Sequence, residues 1–92
     1  MNIPSPSPKP EIKFPAEWEF RIIVMGDQSE KAVSGLQNVF RRFGEDPAIE
    51  RRETSKQGKY QSLCARMTMP DRSTLDAISR ELAAVPGVKM IL

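Results

Sequence analysis

The residues with most chemistry to offer lie together in Glu50-Arg51-Arg52-Glu53-Thr54-Ser55-Lys56-Gln57-Gly58-Lys59-Tyr60. Residues 50 to 59 of that run carry four positive charges against two negative. Lysines flanking a glycine can hold an anion, because backbone N–H groups around a residue free to take positive φ can converge on one point. A solvated turn uses the same residues with no ligand. Arg51, Arg52, Lys56, Gly58, Lys59 and Tyr60 are the candidate binding residues of this hairpin.

Catalysis has fewer parts to work with. The 92 residues include no histidine and one cysteine, Cys64. A Ser-His-Asp or Cys-His nucleophile cannot be assembled, and a closed zinc site would lack ligands. Ser55 and Lys56 are adjacent, so in extended chain they point apart and form no dyad. Carboxylates are dispersed among charged faces, with no close inward pair for acid–base work. Neither a Walker A loop nor a G-x-G-x-x-G turn is present. The expectation is a protein that is not an enzyme and that uses neither a metal nor a cofactor.

Such residues need elements to position them. Five of the eight prolines fall at positions 4, 6, 8, 10 and 15, and proline removes a backbone donor while fixing φ. Residues 1–15 therefore read as an extended, disordered arm, with a polyproline-type partner ligand as the alternative. The ordered domain is expected over residues 16–92. Order begins near Trp18, and Glu19 to Met25 reads as a strand, with Phe20, Ile22 and Val24 on one face and Arg21, Ile23 and Met25 on the other.

From Ser29 the period becomes helical. Ala32, Val33, Leu36, Val39, Phe40 and Phe43 form an apolar stripe, Asp27 or Ser29 caps the start, and Gly44 with Pro47 ends it. Gly35 lies on the flank of that stripe, where close approach to a sheet would explain it. Ile49 to Thr54 is a charged edge strand, and Tyr60 to Met69 alternates as a half-buried one. Asp71 caps a second helix with Leu75, Ile78, Leu82 and Val85 inward and Ala77 and Ala84 beside them. Pro86-Gly87 closes it before a last strand from Val88 to Leu92.

The order βαββαβ predicts an α+β ferredoxin-like sandwich: a four-stranded antiparallel sheet, first and third strands central, with both helices on one face. The other face is left uncovered and carries Arg21, Ile23 and Met25 beside Ser62, Cys64 and Arg66. That mixed patch could bury against a second copy or a ligand, although scattered exposed apolar residues are also normal. An RNA-recognition module would stack bases on aromatics at these central positions, and here they hold Ile23, Cys64 and Arg66.

Composition sets the remaining bounds. Hydrophobic residues make up 39% and charged residues 28%, with a formal charge of +2, as suits a small compact domain rather than a polycation. No apolar run reaches the roughly 18 residues of a membrane span, and the first residues lack the pattern of a secretory signal. A lone cysteine forms no internal disulfide. The expected compartment is the cytoplasm, and the expected state is a monomer or weak homodimer.

At the hairpin the residues become specific. Ser55-Lys56-Gln57-Gly58-Lys59-Tyr60-Gln61-Ser62 resembles the S-x-x-G-K-Y-x-S signature of the YbeD-like family, small bacterial proteins of unknown function. Phe14-Pro15, Val24-Met25-Gly26 and the terminal Val88-Lys89-Met90-Ile91-Leu92 agree with it, so the resemblance spans roughly residues 14 to 92. It departs at the end of the first helix, where many members carry His-Ala-Pro and this chain has Phe43-Gly44-Glu45-Asp46-Pro47. The resemblance implies a fold similar to the ACT regulatory domain and a link to lipoate metabolism. Together with the composition, it leads to a non-enzymatic regulatory or interaction module that docks an unknown protein or small metabolite. Nucleic-acid binding through the basic hairpin at residues 50–59 is the alternative.

Overall fold

The computed structural model describes residues 13–92, so the expected arm lies outside the described residues up to position 12. The chain forms β1 (Ala16–Met25), α1 (Ser29–Arg42), β2 (Ile49–Thr54), β3 (Tyr60–Met69), α2 (Arg72–Ala83) and β4 (Val88–Ile91). Short 3₁₀ turns at Gly26–Gln28 and Lys56–Gly58 follow β1 and β2. The sheet runs β2-β3-β1-β4 with every neighbouring pair antiparallel. This is the ferredoxin-like arrangement, with β1 and β3 central.

Strand alternation decides what the sheet buries. Phe20, Ile22 and Val24 of β1 and Leu63, Ala65 and Met69 of β3 enter one core with Leu36, Val39 and Phe40 of α1 and Leu75, Ile78 and Leu82 of α2. Both helices therefore cover the same face. Phe20 and Phe40 meet with ring centroids 5.8 Å apart and tilted by 56°, a favourable aromatic geometry.

The helix boundaries follow local chemistry, with corrections. Asp71 caps α2 as the sequence suggests: its carboxylate accepts from the Thr74 N–H at 2.7 Å. That hydrogen bond holds the Asp71 carboxyl below its usual range. At α1 the expected cap by Asp27 or Ser29 does not form. Gln28 holds the cap position without a side-chain bond, because Asp27 is taken up in the 3₁₀ turn one residue before it and Ser29 is already the first helical residue. The other end of α1 closes as a Schellman motif, with Glu45 N–H on Phe40 O and Gly44 N–H on Arg41 O, and Gly44 at φ 78°.

Three further expectations change. The close approach that explains Gly35 is to Val85, just beyond α2, and not to the sheet: a Cβ there would sit 2.6 Å from Val85 Cγ1. Ala84 is exposed rather than packed beside the α2 stripe. β1 also starts at Ala16, two residues before Trp18, because β3 continues to Met69 and pairs with it in register there.

Candidate functional site

The hairpin loop is built by its own backbone. Ser55 N–H bonds Tyr60 O at 2.9 Å, Gly58 N–H bonds Ser55 O at 3.0 Å, and Tyr60 N–H bonds the Ser55 hydroxyl at 2.8 Å. Gln57 and Gly58 both take left-handed φ, 69° and 67°, a conformation glycine adopts freely and glutamine rarely. The loop then docks on the end of β1, where Gly26 N–H donates to Lys59 O at 2.9 Å. Any side chain on Gly26 would overlap the Gly58 carbonyl oxygen. The Ser55, Gly58 and Gly26 positions of the sequence signature thus have a structural use: they close the loop and seat it.

The hairpin cations separate. Arg51 stands opposite Leu63 on the helix side of the sheet, and its guanidinium reaches the Ser29 hydroxyl at the start of α1, 3.5 Å away. Arg52 lies over the uncovered face, where it pairs with Glu50 at 3.2 Å. Lys56 stays exposed at the loop tip, and the Lys59 ammonium lies 5.6 Å from the centre of the Tyr60 ring. The six candidates therefore form no single basic patch. Two of the four cations are engaged on opposite sides of the sheet.

The uncovered face gathers its candidates more closely. Arg21 stands opposite Cys64, Ile23 opposite Ser62, and Glu19 opposite Arg66. Cys64 is only 3% exposed despite pointing away from the helices. Arg52 reaches over it, with Nη2 3.8 Å from Sγ. Beside it, Arg66 Nε donates to Glu19 Oε2 at 2.8 Å. This contact holds the Glu19 carboxyl below the usual carboxylate range and raises Arg66 above the ordinary arginine value. A depression of about 350 Å³ opens between these groups, lined by Glu19, Arg21, Arg52, Glu53, Ser62 and Cys64. Across the sheet from it, Met90 stands opposite Ile23, and Met90 and Leu92 are the exposed large apolar residues among the described ones.

One residue that positions this site is absent from the expected set. Gln61 faces the helix side and is 8% exposed. Its Nε2 contacts the carbonyl oxygens of Arg52, Glu53 and Ser62 at 3.1, 3.2 and 3.0 Å, and its Oε1 accepts from the Thr54 hydroxyl at 2.9 Å. Those bonds pin a β-bulge in β2: Arg51 pairs with Leu63 and Thr54 with Gln61, so Arg52 and Glu53 together oppose Ser62. A polar residue on the inward-facing register of an alternating strand, next to its start, was the available signal. No group of three or more metal-ligating side chains occurs among the described residues, and none of their helices is long and apolar enough to cross a membrane.

Comparison with known proteins gives a consistent result. Residues 9–92 match the model of the family described as "Protein of unknown function (DUF493)". A UPF0250 protein of Shewanella sediminis is 27% identical over 81 residues, covering 88% of this chain and 90% of its own. The solution structure of protein HP0495 from Helicobacter pylori superimposes with a TM-score of 0.80 at 25% identity, covering all of this chain and 97% of its own. The C-terminal domain of the MgtC protein from Mycobacterium tuberculosis shares the fold, with a TM-score of 0.61 at 16% identity.

Proposed function

The chain belongs to the DUF493 family of proteins of unknown function, and from that premise we propose that it is a non-enzymatic, ACT-like regulatory or interaction module of the bacterial cytoplasm. It docks a protein or small metabolite through the uncovered face of its sheet. The observation that supports this most is the content of that face. A sheet surface left to solvent ordinarily alternates polar residues outward. Here it holds a nearly buried thiol, two ion pairs set around it and an apolar corner at Ile23, Met90 and Leu92. Such a surface suits a partner that covers it.

Substituting the apolar corner tests the proposal. Ile23→Asp places a charge in that corner, so affinity capture from the native host should lose partners that the unaltered chain retains. Recovery of the same partners by both forms would remove the face from consideration. The lipoate connection rests on the family resemblance, and enrichment of lipoate-handling enzymes in the same capture is what would support it.

Nucleic-acid binding through residues 50–59 has weaker support, since Arg52 is ion-paired and Arg51 is turned toward α1. It predicts affinity for short RNA that falls steeply with salt, as phosphate contacts require. Docking on the apolar corner predicts little salt dependence.

A further inference from the structure

The depression over Cys64 has an unusual construction. Alternation alone would send Arg52 and Glu53 to opposite faces of the sheet. The bulge cancels that, and both side chains rise over Ser62 on the uncovered face. Holding the bulge engages both the amide nitrogen and the amide oxygen of a buried glutamine, Gln61. Bulges of this kind re-aim side chains, and this one sets an acid at the rim of a pocket.

The charges lining the depression then sort into engaged and available groups. Arg52 is neutralised by Glu50, and Glu19 by Arg66. Arg21 and Glu53 have no ion-pair partner among the described residues. They stand on opposite rims, on strands separated by β3 and hence by two strand spacings, about 10 Å. A simple anion would meet Arg21 but be repelled by Glu53, and a simple cation would face the reverse. The complementary guest carries both charges, separated along a short chain.

We infer that this depression binds a small linear zwitterion, its carboxylate on Arg21 and its ammonium on Glu53, lying across Ser62 and Cys64. This rests on the proposal that the uncovered face is the docking face, and gives it a ligand class. The site is shallow and the guest small, so the dissociation constant falls in about the millimolar range.

Amide shifts of the full chain, titrated with γ-aminobutyrate and ε-aminocaproate, test the inference, with butyrate and butylamine as single-charge controls. The expected result is saturable shifts at Arg52, Ser62 and Cys64 with a zwitterion, and about tenfold weaker responses to either control. Arg21→Gln and Glu53→Gln, both exposed substitutions, should each weaken zwitterion binding about tenfold while leaving the spectrum of the core unchanged. Equal responses to the controls, no saturable response, or undiminished binding by both variants would overturn the inference. The Ile23→Asp capture reads the docking face independently, so the ligand class can fail while the face stands.

Discussion

Single residues here do work that their types do not advertise. Gln61 is a buried polar side chain near the start of β3, held there by four hydrogen-bond contacts. Gln61→Leu is expected to leave the bulge carbonyls unpaired and to lower unfolding free energy by about 1–3 kcal/mol in urea titration. Glu19 makes a different kind of prediction. Its carboxyl is held low by Arg66, so the pair stabilises the fold above the unfolded glutamate pKa, and that contribution fades as pH falls through the lowered folded value. Carboxyl NMR titration should find Glu19 below ordinary glutamates, and Arg66→Gln should return it to their range. An unshifted Glu19 in the unaltered chain would break the assignment.

At the scale of elements, the contacts that matter join pieces distant in sequence. The hairpin loop seats on the end of β1 through Gly26, with no room for a Cβ against the Gly58 carbonyl. Gly26→Ala is expected to push the loop off β1, at a cost of about 1–3 kcal/mol, and to speed amide exchange at Lys59 and Tyr60 before the rest of the sheet. Gly35 offers a milder case, because the obstacle is the end of a side chain, Val85 Cγ1. Gly35→Ala alone should gain little from its better helix propensity. Paired with Val85→Ala it should recover part of the roughly 1 kcal/mol that propensity offers, and a double-mutant cycle by thermal melting would read the difference. The two edge strands also differ in character. β2 is charged and pinned by its bulge, whereas β4 is short and irregular near Lys89 and ends in the apolar corner.

For the whole molecule, the asymmetry of the sheet is the central fact: helices cover one face, and the other carries the candidate site. If that apolar corner also serves self-association, Met90→Asp should abolish it while leaving stability within about 0.5 kcal/mol, as befits an exposed position. Sedimentation of both forms at high concentration checks this, and a strict monomer in the unaltered chain would exclude that mode of pairing.

Pattern along the chain is enough to specify the elements, their order, the stripes that form the core and the residues of the uncovered face. Periods of 2 and 3.6, punctuated by Gly44, Asp71 and Pro86-Gly87, are local properties that a chain carries wherever it folds. It also placed Arg21, Ile23, Ser62, Cys64 and Arg66 together, since register follows from which face must be buried. The remaining features arise where distant segments meet. The bulge that turns Glu53 outward, the separation of Arg51 from Arg52, and the burial of Cys64 under Arg52 depend on pairing between strands. So does the seat of the hairpin on Gly26. An extra residue in one strand is visible only against the strand it pairs with, and a missing Cβ acquires meaning only from the atom that fills its place.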